Sequence, residues 1–151
     1  QRVEFYAFGG SAPVAMDGQH KFFRLKISSS YISDPHLQFM SANSLGKDDV
    51  VVAISQSGTT AALIESIKIV RKNGAKVIGI MPGDTPLANI CDFPLTINVG
   101  SNNRISKPVT SRIAYTAVID VLTMGVAQLK PEAQDHLYNI ADSQRSLKVD
   151  N

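Results

Sequence analysis

The sequence predicts one α/β domain, a three-layer doubly wound sheet of five parallel strands, and three observations carry that prediction. Short apolar runs bounded by turn residues alternate with stretches of helical spacing. One run, residues 49–55 (DDVVVAIS), is unbroken apolar up to Ser55, the pattern of a strand buried on both faces of a parallel sheet. The balance of 44% hydrophobic to 19% charged side chains over 151 residues suits a single sizeable core and leaves no room for a second.

Each element follows in order. Residues 3–8 (VEFYAF) read as a short buried strand, and Gly9-Gly10-Ser11 turns it into a helix over 12–26. A weaker strand over 27–31 precedes Asp34-Pro35, where Asp caps a second helix and Pro takes its first position, the helix ending near Leu45-Gly46. The run 49–55 is the central strand. From Thr60 the spacing turns helical, with Leu63, Ile64, Ile67 and Val70 inward, Glu65, Ser66, Lys68, Arg71 and Lys72 outward, and Gly74 closing the helix as its C′ residue. Residues 76–81 (KVIGIM) and 93–99 (FPLTINV) supply two more strands, separated by Pro82-Gly83 and a short helix over 86–90. Pro94, near the start of the last strand, marks it as an edge. A polar loop over 100–107 leads to a long, mostly apolar helix over 109–129, and Pro131 opens a final amphipathic one. The alternation corresponds to a flavodoxin-like arrangement.

Composition narrows the function. Fifteen basic residues against thirteen acidic ones leave a net charge of +2, with no basic block longer than Arg71-Lys72, so the chain lacks a nucleic-acid footprint. The sequence is read as holding no apolar run near the roughly 18–20 residues of a membrane span and no signal-peptide shape at its start, so a cytoplasmic protein without membrane contact is expected. The single cysteine, Cys91, excludes an internal disulfide and a cysteine-based zinc cluster, and reads as a small buried hydrophobe. No metal-ligand spacing, paired carboxylates or Ser-His-Asp order stands out, and no cofactor or metal is expected. Without an initiator Met, and entering at once on a strand, the chain is expected to be a domain of something longer.

Ligands of open parallel sheets bind beyond the carboxyl ends of the strands, where the following helices present unpaired N–H groups. Two segments meet that requirement: Gly9-Gly10-Ser11 after the first strand, and Ser55-Gln56-Ser57-Gly58-Thr59-Thr60 after the central one. The second places four hydroxyls, an amide and a glycine at a strand-to-helix junction. That suits a phosphate: Gly58 lets the backbone approach, the helix N-terminus offers donors and the positive end of its dipole, and the hydroxyls rotate to donate. A helix N-cap with spare polar residues also accounts for the segment, and a tight turn accounts for Gly9-Gly10 nearly as well.

The string Ser-Gln-Ser-Gly-Thr-Thr after VVVAI resembles the phosphosugar-binding signature of the SIS (sugar isomerase) domain. FGGSAPVAMDGQHKFFRL, ISQSGTTAALIESIKIVRKNGAKVIGI and TSRIAYTAVIDVL extend the resemblance to SIS domains of the RpiR family of transcription regulators, nearest to a regulator of hexose catabolism. It implies an N-terminal helix-turn-helix domain outside this chain, through which alone DNA would be met. The implied effector is a sugar acid phosphate, 2-keto-3-deoxy-6-phosphogluconate. By the same resemblance the binding serines fall on Ser11 and Ser55, the phosphate loop continues through Gln56, Ser57, Gly58 and Thr60, and Gly10 belongs to the first loop. A homodimer is expected from the family and from the apolar long helix.

An isomerase of this type needs a positioned base. Glu65 sits one to two turns into the third helix, where an outward carboxylate is the simpler reading. His20 is read as a structural histidine or one facing the cleft or a neighbouring subunit, and His36 and His136 as exposed. Binding without chemistry is therefore expected. The alternatives are a sugar-phosphate isomerase or epimerase with a base from a second subunit, and a pure dimerisation module with no ligand. Lys107 and Arg112, near the start of the long helix, suit an effector carboxylate, and a solvated surface role suits them equally.

Overall fold

The computed structural model describes residues 1–100 and 107–145. Five strands, β1 (Val3–Ala7), β2 (Ser29–Ile32), β3 (Val50–Ile54), β4 (Lys76–Met81) and β5 (Phe93–Thr96), alternate with helices α1 (Ala12–Arg24), α2 (Pro35–Ser44) and α3 (Ala61–Lys72), followed by α4 (Lys107–Leu129) and α5 (Pro131–Arg145). All strand pairs are parallel and the sheet order is β2-β1-β3-β4-β5. The chain first moves outward from β1 to β2, then crosses back to β3 on the other side of β1. The reversal opens a crevice between the carboxyl ends of β1 and β3.

Strand periodicity divides the core. Tyr6, Val51, Ala53, Val77 and Met81 pack with Leu63, Ile67 and Val70 of α3 on one face. Phe5, Ala7, Val52, Ile54 and Ile80 pack with Val14 and Phe22 of α1 and with Tyr115 and Ile119 of α4 on the other. Burying each of the larger of these side chains contributes about 1.5–3 kcal/mol. Helix α1 lies close to the sheet because Gly18 leaves room: a Cβ there would stand 2.5 Å from Phe5 Cε1. The Phe5 ring in turn meets Phe22 edge-on, with centroids 5.3 Å apart.

The local signals act as the sequence indicates. Asp34 caps α2, its Oδ1 accepting from Leu37 N at 2.9 Å, and Gly74 follows α3 at φ +87°. Pro94 lies in β5, an edge strand. Several expectations shift. Ser66 is fully buried rather than outward, because its Oγ donates to Ala62 O at 3.0 Å and the satisfied hydroxyl then fits the inner face. Strand β2 starts at Ser29, and β5 stops at Thr96. The short helix expected over 86–90 is a single 3-10 turn, Ala88–Ile90. Cys91 is half-buried against Met81, and burial pushes its thiol up to about 11.

Helix α4 corrects the reading of membrane potential: it is long and apolar enough, by length and composition, to cross a bilayer. It serves as a layer of this domain, since Tyr115 and Ile119 are buried against the sheet and Asp120 forms an ion pair with Lys21 of α1. Of the expected polar loop over 100–107, residues 101–106 lie outside the described residues, as does the side chain of Lys107.

Candidate functional site

The register of β1 and β3 sets Ala7 beside Ile54, so both chains leave the sheet at one level and their loops face each other across the crevice. A cavity of about 410 Å³ opens there, lined by Phe8, Gly10, Ser11, Ile54, Ser55, Gln56, Ser57, Thr60 and Leu63. Six of the seven residues singled out in the sequence thus meet at one site: Gly10, Ser11, Ser55, Gln56, Ser57 and Thr60. Gly58 does not line it.

Ser11 arrives on a 3-10 turn, Gly9–Ser11, which starts with Gly9 at φ +51°. It precedes α1 as N-cap, yet its side chain makes no capping bond, so a buried hydroxyl is left to face the cavity. Thr60 repeats the pattern at α3, where it is N-cap with no side-chain capping bond. Cap chemistry therefore does not account for either hydroxyl. The α3 ladder begins with Ile64 N donating to Thr60 O at 3.0 Å, so the N–H groups of Ala61, Ala62 and Leu63 have no partner within the helix. They add the positive end of a 12-residue helix to the site.

The second loop is braced from within. Ser55 Oγ accepts from Gly58 N at 3.0 Å, and Ser57 Oγ accepts from Thr59 N at 3.2 Å, so both hydroxyls keep their own protons for donation to a ligand. Gly58 stands at φ +64°, and a Cβ there would lie 2.3 Å from Thr85 Oγ1. Its carbonyl accepts from Leu87 N at 3.1 Å. Glycine at this position is thus required by its left-handed backbone and by the neighbouring segment around Thr85, a constraint the sequence did not suggest. Thr85 is itself fixed, donating to Pro82 O at 3.0 Å.

Among the described residues no Lys, Arg, His, Asp or Glu lines this cavity, so its polarity comes from hydroxyls, one amide and backbone. Glu65 is exposed and bonded to Lys68 Nζ at 2.6 Å, while His20 and His36 are exposed and His136 is half-buried on α5. None of the four reaches the site. Arg112 lines a smaller adjoining cavity that shares Gly10, Ser11 and Gln56 with the main one. Sequence reasoning did not find the apolar wall of Phe8, Ile54 and Leu63, nor the brace at Thr85; the turn-rich string Pro-Gly-Asp-Thr-Pro over 82–86 was the available sign of the latter.

The SIS domain model matches residues 1–125. The chain is 38% identical over 144 residues to the HTH-type transcriptional regulator HexR of Pseudomonas aeruginosa, covering 95% of this chain and 50% of that protein. It is 34% identical over 151 residues to HexR of Escherichia coli, covering 99% and 52%. The chain therefore spans about half the length of these curated relatives. In architecture it is similar to the Vibrio vulnificus NanR protein complexed with ManNAc-6P, with a TM-score of 0.87 at 21% identity over 98% of this chain and 56% of that one. A five-stranded parallel sheet of this order, a serine-rich loop at its switch point and the match over residues 1–125 converge: the chain belongs to the SIS domain family.

Proposed function

We propose that this chain is the effector-sensing domain of a transcription regulator, binding a phosphorylated sugar or sugar acid without transforming it. The observation that carries this reading is the cavity at the β1/β3 switch point, where Ser11, Ser55, Ser57 and Thr60 present hydroxyls beside the open end of α3 and, among the described residues, no titratable side chain lines the wall. Such a wall binds an anion and offers no group to move a proton between carbons. The relatives named as HTH-type regulators and the NanR complex with a sugar phosphate support it.

The phosphate sits on the 55–60 loop, and Ser11 holds the sugar portion. The effector is a six-carbon sugar acid phosphate, 2-keto-3-deoxy-6-phosphogluconate, and DNA is contacted by a part of the protein outside this chain, in the cytoplasm. The chain pairs as a homodimer through the outer face of α4, which leaves Ile113 68%, Val121 72% and Met124 60% exposed. Ile113→Glu together with Val121→Glu is expected to give a monomer in sedimentation at tens of micromolar where the parent is a dimer; a parent already monomeric there counts against the pairing.

A thermal-shift screen over phosphorylated sugars, sugar acids and their dephosphorylated counterparts tests the central reading. A ligand at about 100 times its dissociation constant adds roughly 2.7 kcal/mol of stability. A screen in which nothing phosphorylated shifts the melt, or in which dephosphorylated forms shift it equally, would falsify the reading.

A further inference from the structure

Beside the main cavity lies a second of about 10 Å³, which shares Gly10, Ser11 and Gln56 with it and is walled on the far side by Ser111, Arg112 and Tyr115 of α4. Its volume is that of a single water molecule or a single ligand oxygen. The Tyr115 ring is 1% exposed and packs in the core between α4 and the sheet, yet its hydroxyl has no hydrogen-bond partner among the described residues. A phenylalanine would fill the same core volume without leaving a buried polar atom unsatisfied, so packing does not explain the hydroxyl. Burial pushes it up to about 12, which keeps it protonated and able to donate at neutral pH.

We propose that Tyr115 is a binding residue for the non-phosphate end of the ligand, donating its hydroxyl to one sugar oxygen that enters the small cavity opposite Ser11. The inference rests on the phosphosugar reading given above and adds to it a specificity contact from α4. The phosphate is held on the α3 side of the crevice and the sugar is read on the α4 side, with Ser11 between them. Arg112 stands at the rim of the same cavity, where a carboxylate on the sugar would meet a guanidinium. A cavity of this size admits one oxygen and rejects a branched or bulky substituent at that position.

The test is calorimetric titration and thermal melting of the parent and of Tyr115→Phe. The ligands are inorganic phosphate and the tightest binder among 2-keto-3-deoxy-6-phosphogluconate, 6-phosphogluconate and glucose 6-phosphate. Tyr115→Phe is expected to bind the sugar compound about tenfold more weakly, to bind phosphate like the parent, and to melt no lower than the parent without ligand, since only an unsatisfied group is removed. Equal affinity for the sugar compound overturns the role of Tyr115 and leaves the phosphosugar reading standing. An equal loss for phosphate overturns it too, as does a melting temperature several degrees lower, which would mean the hydroxyl has a structural partner. A parent that binds none of the sugar compounds overturns both readings.

Discussion

The two loops that form the site reach it in different ways. The β3–α3 loop, residues 55–60, is held by bonds from Ser55 to Gly58 and from Ser57 to Thr59, and by the segment at Thr85 and Leu87 pressing on Gly58. The β1–α1 loop is held by two local backbone bonds, Ser11 N to Phe8 O at 3.1 Å and Ala12 N to Gly9 O, and neither Gly9 nor Gly10 has anything among the described residues within 4 Å of where a Cβ would stand. The first loop is the more heavily braced and suits a group of constant shape, such as a phosphate. The other is open and suits the part of the ligand that differs from one sugar to the next. On the proposed reading, a braced anion cradle beside a less braced wall would let one fold keep its phosphate site and change its specificity.

The largest effect should come from Gly58→Ala, which places a side chain in left-handed backbone and against Thr85 together. A stability loss of about 2–4 kcal/mol is expected in a denaturant or thermal melt, with loss of phosphate binding. Gly10→Ala, in the open loop, should leave the melt within about 0.5 kcal/mol of the parent. Comparable losses at the two positions would mean that the contrast in rigidity is wrong.

Ser55→Ala comes next. It removes the acceptor of Gly58 N and, on the proposed reading, a donor to the ligand, so affinity should fall roughly tenfold to a hundredfold while stability falls by about 1–3 kcal/mol. Ser11→Ala removes a hydroxyl that caps nothing and, on the same reading, donates to the ligand, so it should cost a similar factor in affinity with a melt close to the parent's. Titration and melting of the pair separate the two loops, and a Ser11→Ala variant that binds like the parent would place the ligand elsewhere. The smallest effects are expected at Glu65→Gln and His20→Ala, which should leave sugar-phosphate affinity unchanged, with no turnover expected in the parent or in either variant. Product formation by the repurified parent, lost in either variant, would replace a sensor with an isomerase.

Local chemistry is what made the sequence legible. The run VVVAI identified the central strand, Asp34-Pro35 the start of α2 and Gly74 the end of α3, because each signal lies within a few residues of its effect. The hydroxyl-rich loop was equally local. What stayed hidden depends on partners far along the chain: Thr85 acts on Gly58, and Tyr115 shares a cavity wall with Ser11. Gln38 reads as a polar helix residue, yet it is buried and donates from Nε2 to Ile32 O at 2.7 Å, a bond that exists only once β2 lies alongside. Ser66 misled because helical periodicity assigns a polar residue outward, whereas its own helix satisfies the hydroxyl. Helix α4 is apolar on nearly every side, so no stripe told its sheet-facing side from its outer one.

The cavity wall of hydroxyls, amide and backbone has one more consequence, for how binding should respond to acidity. Hydroxyls and peptide groups do not change charge between about pH 5 and 9. On the proposed reading the ionisation that matters belongs to the ligand, whose second phosphate proton leaves near pH 6. Affinity should strengthen as pH rises through that value and stay level above it. A titration of binding against pH would follow the chemistry of the sugar phosphate, and the protein would serve as a fixed electrostatic mould around it.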